Sequence, residues 1–296
     1  MTDWQLLTTW SWDPTVIIGC TGLITGYLYI LRMQFDKKAL AFIMGVLVMF
    51  IALESPLDPL GDAYLFSAHM LQHLLLLLVV PPLLLMGTPE KPMRALLEKP
   101  AFARVEKILA KPLVAWFLGV STIWAWHIPF LYNAALASEN IHILEHTLFL
   151  VTGTIFWWPV LSPLDDHRIA PLFIIPYLFA AAVSNSTLGV ILTYAKPGLY
   201  PAYLHPEDEI GALSLIRQGW GITPEIDQQL GGLLMWVPGG LAYFVGIIGA
   251  LMRWYGQPEE VPDYSTEKSS GDAPAQNGTP VGETKTVHYG ENHYIS

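Results

Sequence analysis

Long runs of apolar residues alternate with short polar or proline-containing segments over most of the chain. A helix of about 20 apolar residues crosses the hydrocarbon core of a bilayer, so runs near this length predict membrane spans. The predicted spans are Thr15–Leu31, Ala39–Leu53, Tyr64–Met86, Pro112–His127, Ile141–Leu161, Ile169–Ala195 and Leu230–Met252. Pro176 and the polar run Ser184–Thr187 predict an interruption of the sixth span. The pattern therefore predicts an all-α membrane protein, with a bundle of seven transmembrane helices over residues 1–254.

Basic residues lie almost entirely on one side of the predicted spans. Of the 15 Lys and Arg residues, only Lys196 and Arg217 fall in connections that this topology places outside. Because cytoplasmic loops carry the excess of Lys and Arg in membrane proteins, we predict an N-terminus on the outer side, which is the periplasm if the membrane is a bacterial inner membrane, and a cytoplasmic C-terminus. The basic segment Gly87–Lys111 predicts a short amphipathic helix at the cytoplasmic surface. The outer connections are then Ser55–Ala63, Phe130–Asn140 and Lys196–Gln229.

Composition agrees with this class of protein and limits its chemistry. Hydrophobic residues make up 53% of the chain and charged residues 14%, with a mean hydropathy of +0.42, which is too apolar for an ordinary soluble protein. The single cysteine, Cys20, excludes disulfides and paired-thiolate metal sites within one chain. We recognise no phosphate loop, nucleophile motif or nucleic-acid signature, and predict neither an enzyme nor a nucleic-acid-binding protein. Residues 255–296 have few aliphatic side chains and predict a disordered cytoplasmic tail.

Five histidines fall at the outer ends of three predicted spans. They are His69 and His73 on the third span, His127 on the fourth, and His142 and His146 on the fifth. Histidines four residues apart lie on one helix face, at a rise of about 1.5 Å per residue, so His73 and His146 should form a deeper tier. We expect His127 near the upper tier. Each histidine alone could simply sit at the membrane interface, but together they predict a shared metal site.

Five further residues are weaker candidates for this site, and each has an ordinary structural interpretation. Met70 offers a thioether that would favour reduced copper, or it packs in the core. Glu145 could orient a ligating histidine, or it is an acid near a helix N-terminus. Asp58 and Asp62 could attract a cation, or they are helix caps. Asp227 could close the site from above, or it too is a cap.

Six separated motifs, in the right order, resemble the multi-span CtaG family of cytochrome c oxidase assembly factors. They are Ser55–Asp58, His69–His73, Trp126–Pro129, His142–His146, Leu199–Tyr203 and Asp227–Gly232, within a resemblance that covers Trp10–Trp254. A single-span, cysteine-containing copper chaperone shares the CtaG name, but one cysteine and seven predicted spans exclude it. The resemblance implies a multi-pass protein of the bacterial inner (cytoplasmic) membrane that helps to assemble a haem-copper oxidase by delivering or inserting copper. The implied partners are oxidase subunits, the lipid bilayer and a periplasmic copper donor.

Our leading hypothesis is a copper-binding assembly factor that uses some of the five histidines and passes the metal to an oxidase subunit. The main alternative is a redox protein with b-type haem, held by opposing histidines of the third and fifth spans. A metal-free scaffold is a third hypothesis. A transporter is a fourth, since Pro176 and Ser184–Thr187 could break or line the sixth span.

Overall fold

The computed structural model describes residues 2–32 and 35–256, and the regular structure within these ranges is helical. The helices are α1 (Asp3–Leu6), α2 (Pro14–Ile30), α3 (Lys37–Glu54), α4 (Leu57–Ala63), α5 (Phe66–Leu74), α6 (Val80–Gly87), α7 (Glu90–Leu97), α8 (Pro100–Leu109), α9 (Pro112–Trp126), α10 (Pro129–Ala137), α11 (Glu139–Leu161), α12 (Pro171–Tyr194) and α13 (Pro224–Tyr255). A π-helical turn, Leu75–Val79, joins α5 to α6. The prediction of an all-α protein is confirmed for the described residues.

Several helices are suited to a membrane. Four are long and apolar enough to cross it alone, namely Phe66–Gly87, α11, α12 and α13. Two bent pairs, α3 with α4 at 45° and α8 with α9 at 73°, raise the number of candidate spans to as many as six. Helix α2 is apolar but has only 17 residues. The described helices therefore indicate a membrane protein, while the count of seven spans and the orientation stay predictions.

The distribution of side chains also suits a lipid environment. Large apolar side chains point outward, with Phe117, Phe173 and Val245 between 65% and 69% exposed. Polar side chains lie inside, and His69 and Glu145 have no exposed surface. A soluble protein would tend toward the opposite arrangement, because large apolar side chains are usually buried in water-soluble folds and buried ionisable groups are rare.

Local signals explain why several predicted spans begin and end close to where helices do. Helix α2 starts at Pro14, with Asp13 as its N-cap, and α9 starts at Pro112. Proline suits the first position of a helix because its missing N–H would have no intrahelical acceptor there. Helix α9 ends at Trp126, so that His127 is its C-cap, as the fourth predicted span suggests.

The predicted interruption of the sixth span is wrong. Helix α12 is continuous and contains both Pro176 and the polar run. The polar side chains bond to helix backbones instead of breaking the helix: the Asn185 Nδ2 donates to the Met235 carbonyl at 2.8 Å, and the Thr187 hydroxyl donates to the Val183 carbonyl at 2.7 Å. The transporter hypothesis thus loses the predicted break, which was one of the two ways in which these residues could have served it.

Two predicted connections contain short helices that do not stand out as apolar runs. Helix α4 lies in the connection after the second span, and α10 lies in the connection after the fourth. The basic segment, predicted to hold one short amphipathic helix, forms two helices, α7 and α8, because Pro100 starts a second one.

The last predicted span also differs, since α13 begins at Pro224 and places Asp227 in its first turn. Helix α13 ends at Tyr255, just beyond the predicted 1–254 boundary. Most of the tail that the sequence predicts to be disordered, residues 257–296, lies outside the described residues.

The π-helical turn sets the orientation of the histidine-bearing helix α5. Pro81 has no amide hydrogen, and a proline ring clashes with the carbonyl four residues earlier, here that of Leu77. The carbonyl of Leu77 instead accepts a hydrogen bond from the Trp157 indole at 3.2 Å. One extra residue in a turn rotates the side chains of the preceding helix, here α5, by about 100° relative to a regular helix. Such turns are frequent at functional sites, and this one follows directly after His73 and Leu74.

Candidate metal centre

Four of the five predicted histidines meet between α5 and α11. Neighbouring rings on one helix have centroids 4.2 Å apart for His69 and His73 and 4.1 Å apart for His142 and His146. Across the two helices, His69 lies 5.3 Å from His142 and His73 lies 5.6 Å from His146. The four rings thus form an upper pair, His69 with His142, and a deeper pair, His73 with His146. We call these four residues the histidine cluster.

Potential ligand atoms converge in two overlapping groups. One is His69, His73 and His146, and the other is Asp62, His69 and His142; in each group the atoms lie within 4.8 Å of one another. Both ring nitrogens of His69 and of His73 are buried without a hydrogen-bond partner, as is the Nε2 of His146. Since buried polar atoms are nearly always hydrogen-bonded, these donor atoms fit a bound cation.

Glu145 lies between the two histidines of α5. Its Oε2 is 3.7 Å from the Nε2 of His69, and its Oε1 is 3.5 Å from the Nε2 of His73. The side chain has no exposed surface, and neither oxygen has a hydrogen-bond partner. Glu145 is more than one turn inside α11, so the interpretation as an acid near the helix N-terminus loses its basis. A buried, unpaired carboxylate is costly, and a cation would offset that cost.

His127 has different neighbours from those expected. Its Nδ1 donates to the Ile123 carbonyl at 2.7 Å, which turns the ring back along α9. The ring consequently lies 5.8 Å from His73, which belongs to the deeper pair, and its Nε2 lies 3.1 Å from the Met70 sulfur. With the Nδ1 carrying the proton, a neutral His127 presents a lone pair to the thioether, and neither atom supplies a hydrogen. His127 is thus adjacent to the histidine cluster but belongs to neither of the two groups of ligand atoms found among the described residues.

Of the three aspartates proposed from the sequence, Asp62 lies beside the histidine cluster, whereas Asp58 and Asp227 form hydrogen bonds elsewhere. Asp62 reaches the histidine cluster, with its Oδ1 3.3 Å from the Nε2 of His142. Asp58 does not reach the histidine cluster. Its carboxylate accepts hydrogen bonds from the Ser11 hydroxyl at 2.6 Å and from the Gln72 amide at 3.1 Å.

Asp227 caps a helix other than its own. Its carboxylate accepts hydrogen bonds from the backbone N–H of Phe66 at 2.7 Å and of Ser67 at 3.0 Å, at the N-terminus of α5. The N-cap residue of α5, Leu65, has no side chain that can cap. The capping interpretation is therefore the one that fits, and Asp227 holds the histidine-bearing helix to α13.

Two tyrosines were not assigned to the site from the sequence. Tyr132 packs against His69 of the upper pair, and Tyr203 forms a hydrogen bond with Tyr132. The ring of Tyr132 is fully buried with its centroid 5.1 Å from that of His69, and its hydroxyl is 2.9 Å from that of Tyr203. Tyr203 in turn donates to the Gly61 carbonyl at 2.8 Å. Tyr132 belongs to α10, in a segment predicted to be a connection, so only its tertiary contacts reveal it. Tyr203 could have been noticed, because it ends one of the six motifs.

The fold and this site define a class: a helical membrane protein with a buried cluster of histidine and carboxylate side chains. A family model described as cytochrome c oxidase caa3 assembly factor (Caa3_CtaG) matches residues 25–257. The chain belongs to this family, which confirms the resemblance that its motifs carry. The description of the family concerns the assembly of cytochrome c oxidase.

Curated relatives come from mycobacteria. An uncharacterized protein of Mycobacterium leprae is 22% identical over 282 residues, which cover 87% of this chain and 41% of that protein. An uncharacterized protein of Mycobacterium bovis is 22% identical over 293 residues, covering 90% of this chain and 42% of that protein. The chain thus spans about two fifths of the length of these relatives. No solved structure matches it significantly.

Proposed function

We propose that this protein binds copper as cargo in the histidine cluster and delivers it to a haem-copper oxidase during assembly. The observation that carries the proposal is the set of buried, unpartnered donor atoms on His69, His73 and Glu145. His146 supplies a further nitrogen to the same space. Three imidazoles beside a carboxylate could neutralise and hold a cation, and their burial would keep it from exchanging freely with water.

The identity of the metal is supported by the donor types. Imidazole accepts copper, zinc and iron, whereas a thioether favours reduced copper. The Met70 sulfur lies 3.1 Å from the Nε2 of His127, and the His127 ring lies 5.8 Å from that of His73. A thioether in this neighbourhood supports copper over zinc. Within this proposal the site faces the periplasm of a bacterial inner membrane, receives copper from a periplasmic donor and releases it to an oxidase subunit. The positive-inside orientation of the predicted spans supports this arrangement.

The packing favours an ion over the alternative of b-type haem. A haem requires a flat slot between its two axial ligands. Here His69 and Glu145 occupy the space beside His73, and the Phe149 ring lies 4.3 Å from the His73 ring. A macrocycle would have to displace these side chains, while a single ion would only have to lie among them.

The test is elemental analysis and an optical spectrum of protein purified from native membranes, comparing wild type with His73→Ala. We expect near-stoichiometric copper that is lost in the variant, together with lower copper content of the oxidase in cells that carry it. His205→Ala is the matched control, because His205 is an exposed histidine outside the site. Iron with a Soret band would instead establish the haem alternative, and a wild-type protein without metal would overturn the proposal.

A further inference from the structure

An acidic cavity of about 620 Å³ adjoins the histidine cluster. Its lining includes four acids and two histidines of the cluster, namely Asp13, Asp58, Asp62, Glu139, His142 and His146. Among the described residues, no Lys or Arg lines it. A cleft lined by one sign of charge within low-dielectric walls raises the local concentration of counter-ions. The cavity is therefore suited to collecting cations beside His142.

One of the two groups of ligand atoms lies where this cavity meets the buried interior. The Asp62 side chain is 41% exposed and that of His142 is 13% exposed, whereas His69 is fully buried. The Oδ1 of Asp62 is itself buried, and it lies 3.3 Å from the Nε2 of His142 without the alignment of a hydrogen bond. One carboxylate oxygen and two imidazoles thus converge in reach of the cavity, with their donor atoms unpartnered.

His69 belongs to both groups of ligand atoms. A neutral imidazole has one lone pair, so it ligates one cation at a time. An ion held by Asp62, His69 and His142 can therefore pass to His69, His73 and His146 by exchanging its other two ligands while His69 stays close to it. Ligand exchange in steps avoids releasing a bare ion inside a low-dielectric interior, where an unpaired charge is very costly.

We propose that Asp62, His69 and His142 form an outer cation position, through which copper enters the inner position at His69, His73 and His146 and leaves it again. This inference rests on the proposed function, because the inner position is the copper site proposed above. The carboxylate oxygen makes the outer position the harder of the two, which suits an ion that still carries some of its water.

The test measures how fast Cu(I) alone enters and leaves the full-length protein in lipid nanodiscs, using a chromophoric chelator as competitor in stopped flow. Asp62→Asn should slow both loading and release by about tenfold, the lower end of what a carboxylate beside a metal site contributes. The equilibrium affinity should hardly change, because a transit position lowers the barrier equally in both directions. His142→Ala, which removes the other ligand specific to the outer position, should have the same effect.

Glu139→Gln is the matched control. It removes one negative charge from the same cavity, but Glu139 is exposed and belongs to neither group of ligand atoms. Equal slowing in Glu139→Gln and Asp62→Asn would overturn the outer position, because the general field of the cavity would then suffice. Unchanged rates in Asp62→Asn, or weaker equilibrium binding with an unchanged loading rate, would also overturn it. If wild type bound no copper at all, the proposed function would fail as well, and that result is distinguishable from failure of the outer position alone.

Discussion

The contact between α12 and α13 and the contact between α5 and α11 are built on opposite principles. Between α12 and α13 the backbones come so close that a Cβ atom on Gly189 would lie 2.8 Å from the Gly232 carbonyl oxygen. Small residues at such contacts let membrane helices pack tightly. Between α5 and α11, Glu145 lies 3.5 to 3.7 Å from two imidazoles and forms no hydrogen bond with either. The first contact stabilises the bundle, and the second retains unsatisfied polar groups that a ligand can use.

The largest expected effect breaks the tight contact. Gly232→Val should destabilise the protein by roughly 3 kcal/mol, the upper end of overpacking costs, because the new side chain would meet Thr193 and the Gly189 backbone. Thermal unfolding in detergent and the yield from membranes measure this effect. Gly249→Val is the control on the same helix, since a Cβ atom at Gly249 has no neighbour within 4 Å. Equal losses in both variants would mean that valine itself, and not the close approach, destabilises α13.

The second prediction separates stability from binding at the polar contact. Glu145→Gln should weaken copper binding by about 10- to 100-fold, because it removes the carboxyl that lies beside His69 and His73 and that can ionise when a cation binds. The unfolding temperature of the metal-free protein should hardly change, because glutamine has nearly the same size and neither Glu145 oxygen makes a hydrogen bond that the variant would lose. Competition titration and calorimetry measure the two quantities. A less stable protein with unchanged copper affinity would show that Glu145 has a structural role, contrary to the comparison.

The smallest expected effect concerns an ion pair whose residues belong to none of the four helices compared above. Arg94 donates to Asp166 at 3.0 Å, and this bond lowers the pKa of the Asp166 carboxyl below its usual value. A carboxyl with a lowered pKa in the folded state contributes stability above its unfolded pKa, and loses it as the pH falls through the folded value. The difference in unfolding temperature between wild type and Asp166→Asn should therefore be small at neutral pH and vanish in acid.

High salt should reduce the same difference at neutral pH, because both side chains are about half exposed and their attraction is screened. A difference that grows as the pH falls would contradict this assignment.

Local signals in the sequence anticipate much of the fold, and the reason is visible at particular residues. Asp13 with Pro14, and Pro112, mark helix starts because capping and proline geometry depend only on neighbours in the chain. The short helices α4 and α10 were missed because neither is long enough to stand out as an apolar run. The continuity of α12 was missed because a polar run resembles a break until its partner is known, and here the partner of Asn185 is the backbone of α13.

Within the candidate site, the spacing of His69 with His73 and of His142 with His146 placed each pair on one helix face, since helix geometry alone determines it. Three features required the tertiary structure: Glu145 between two histidines of another helix, His127 turned toward Met70, and Asp227 capping α5 from α13.

The sequence by itself thus determined the membrane class, most helices and the histidine pairs, because these depend on composition and on contacts within a turn or two. Only the tertiary structure decided which polar atoms meet and which stay unpartnered, because that depends on the rotation and approach of helices far apart in the chain.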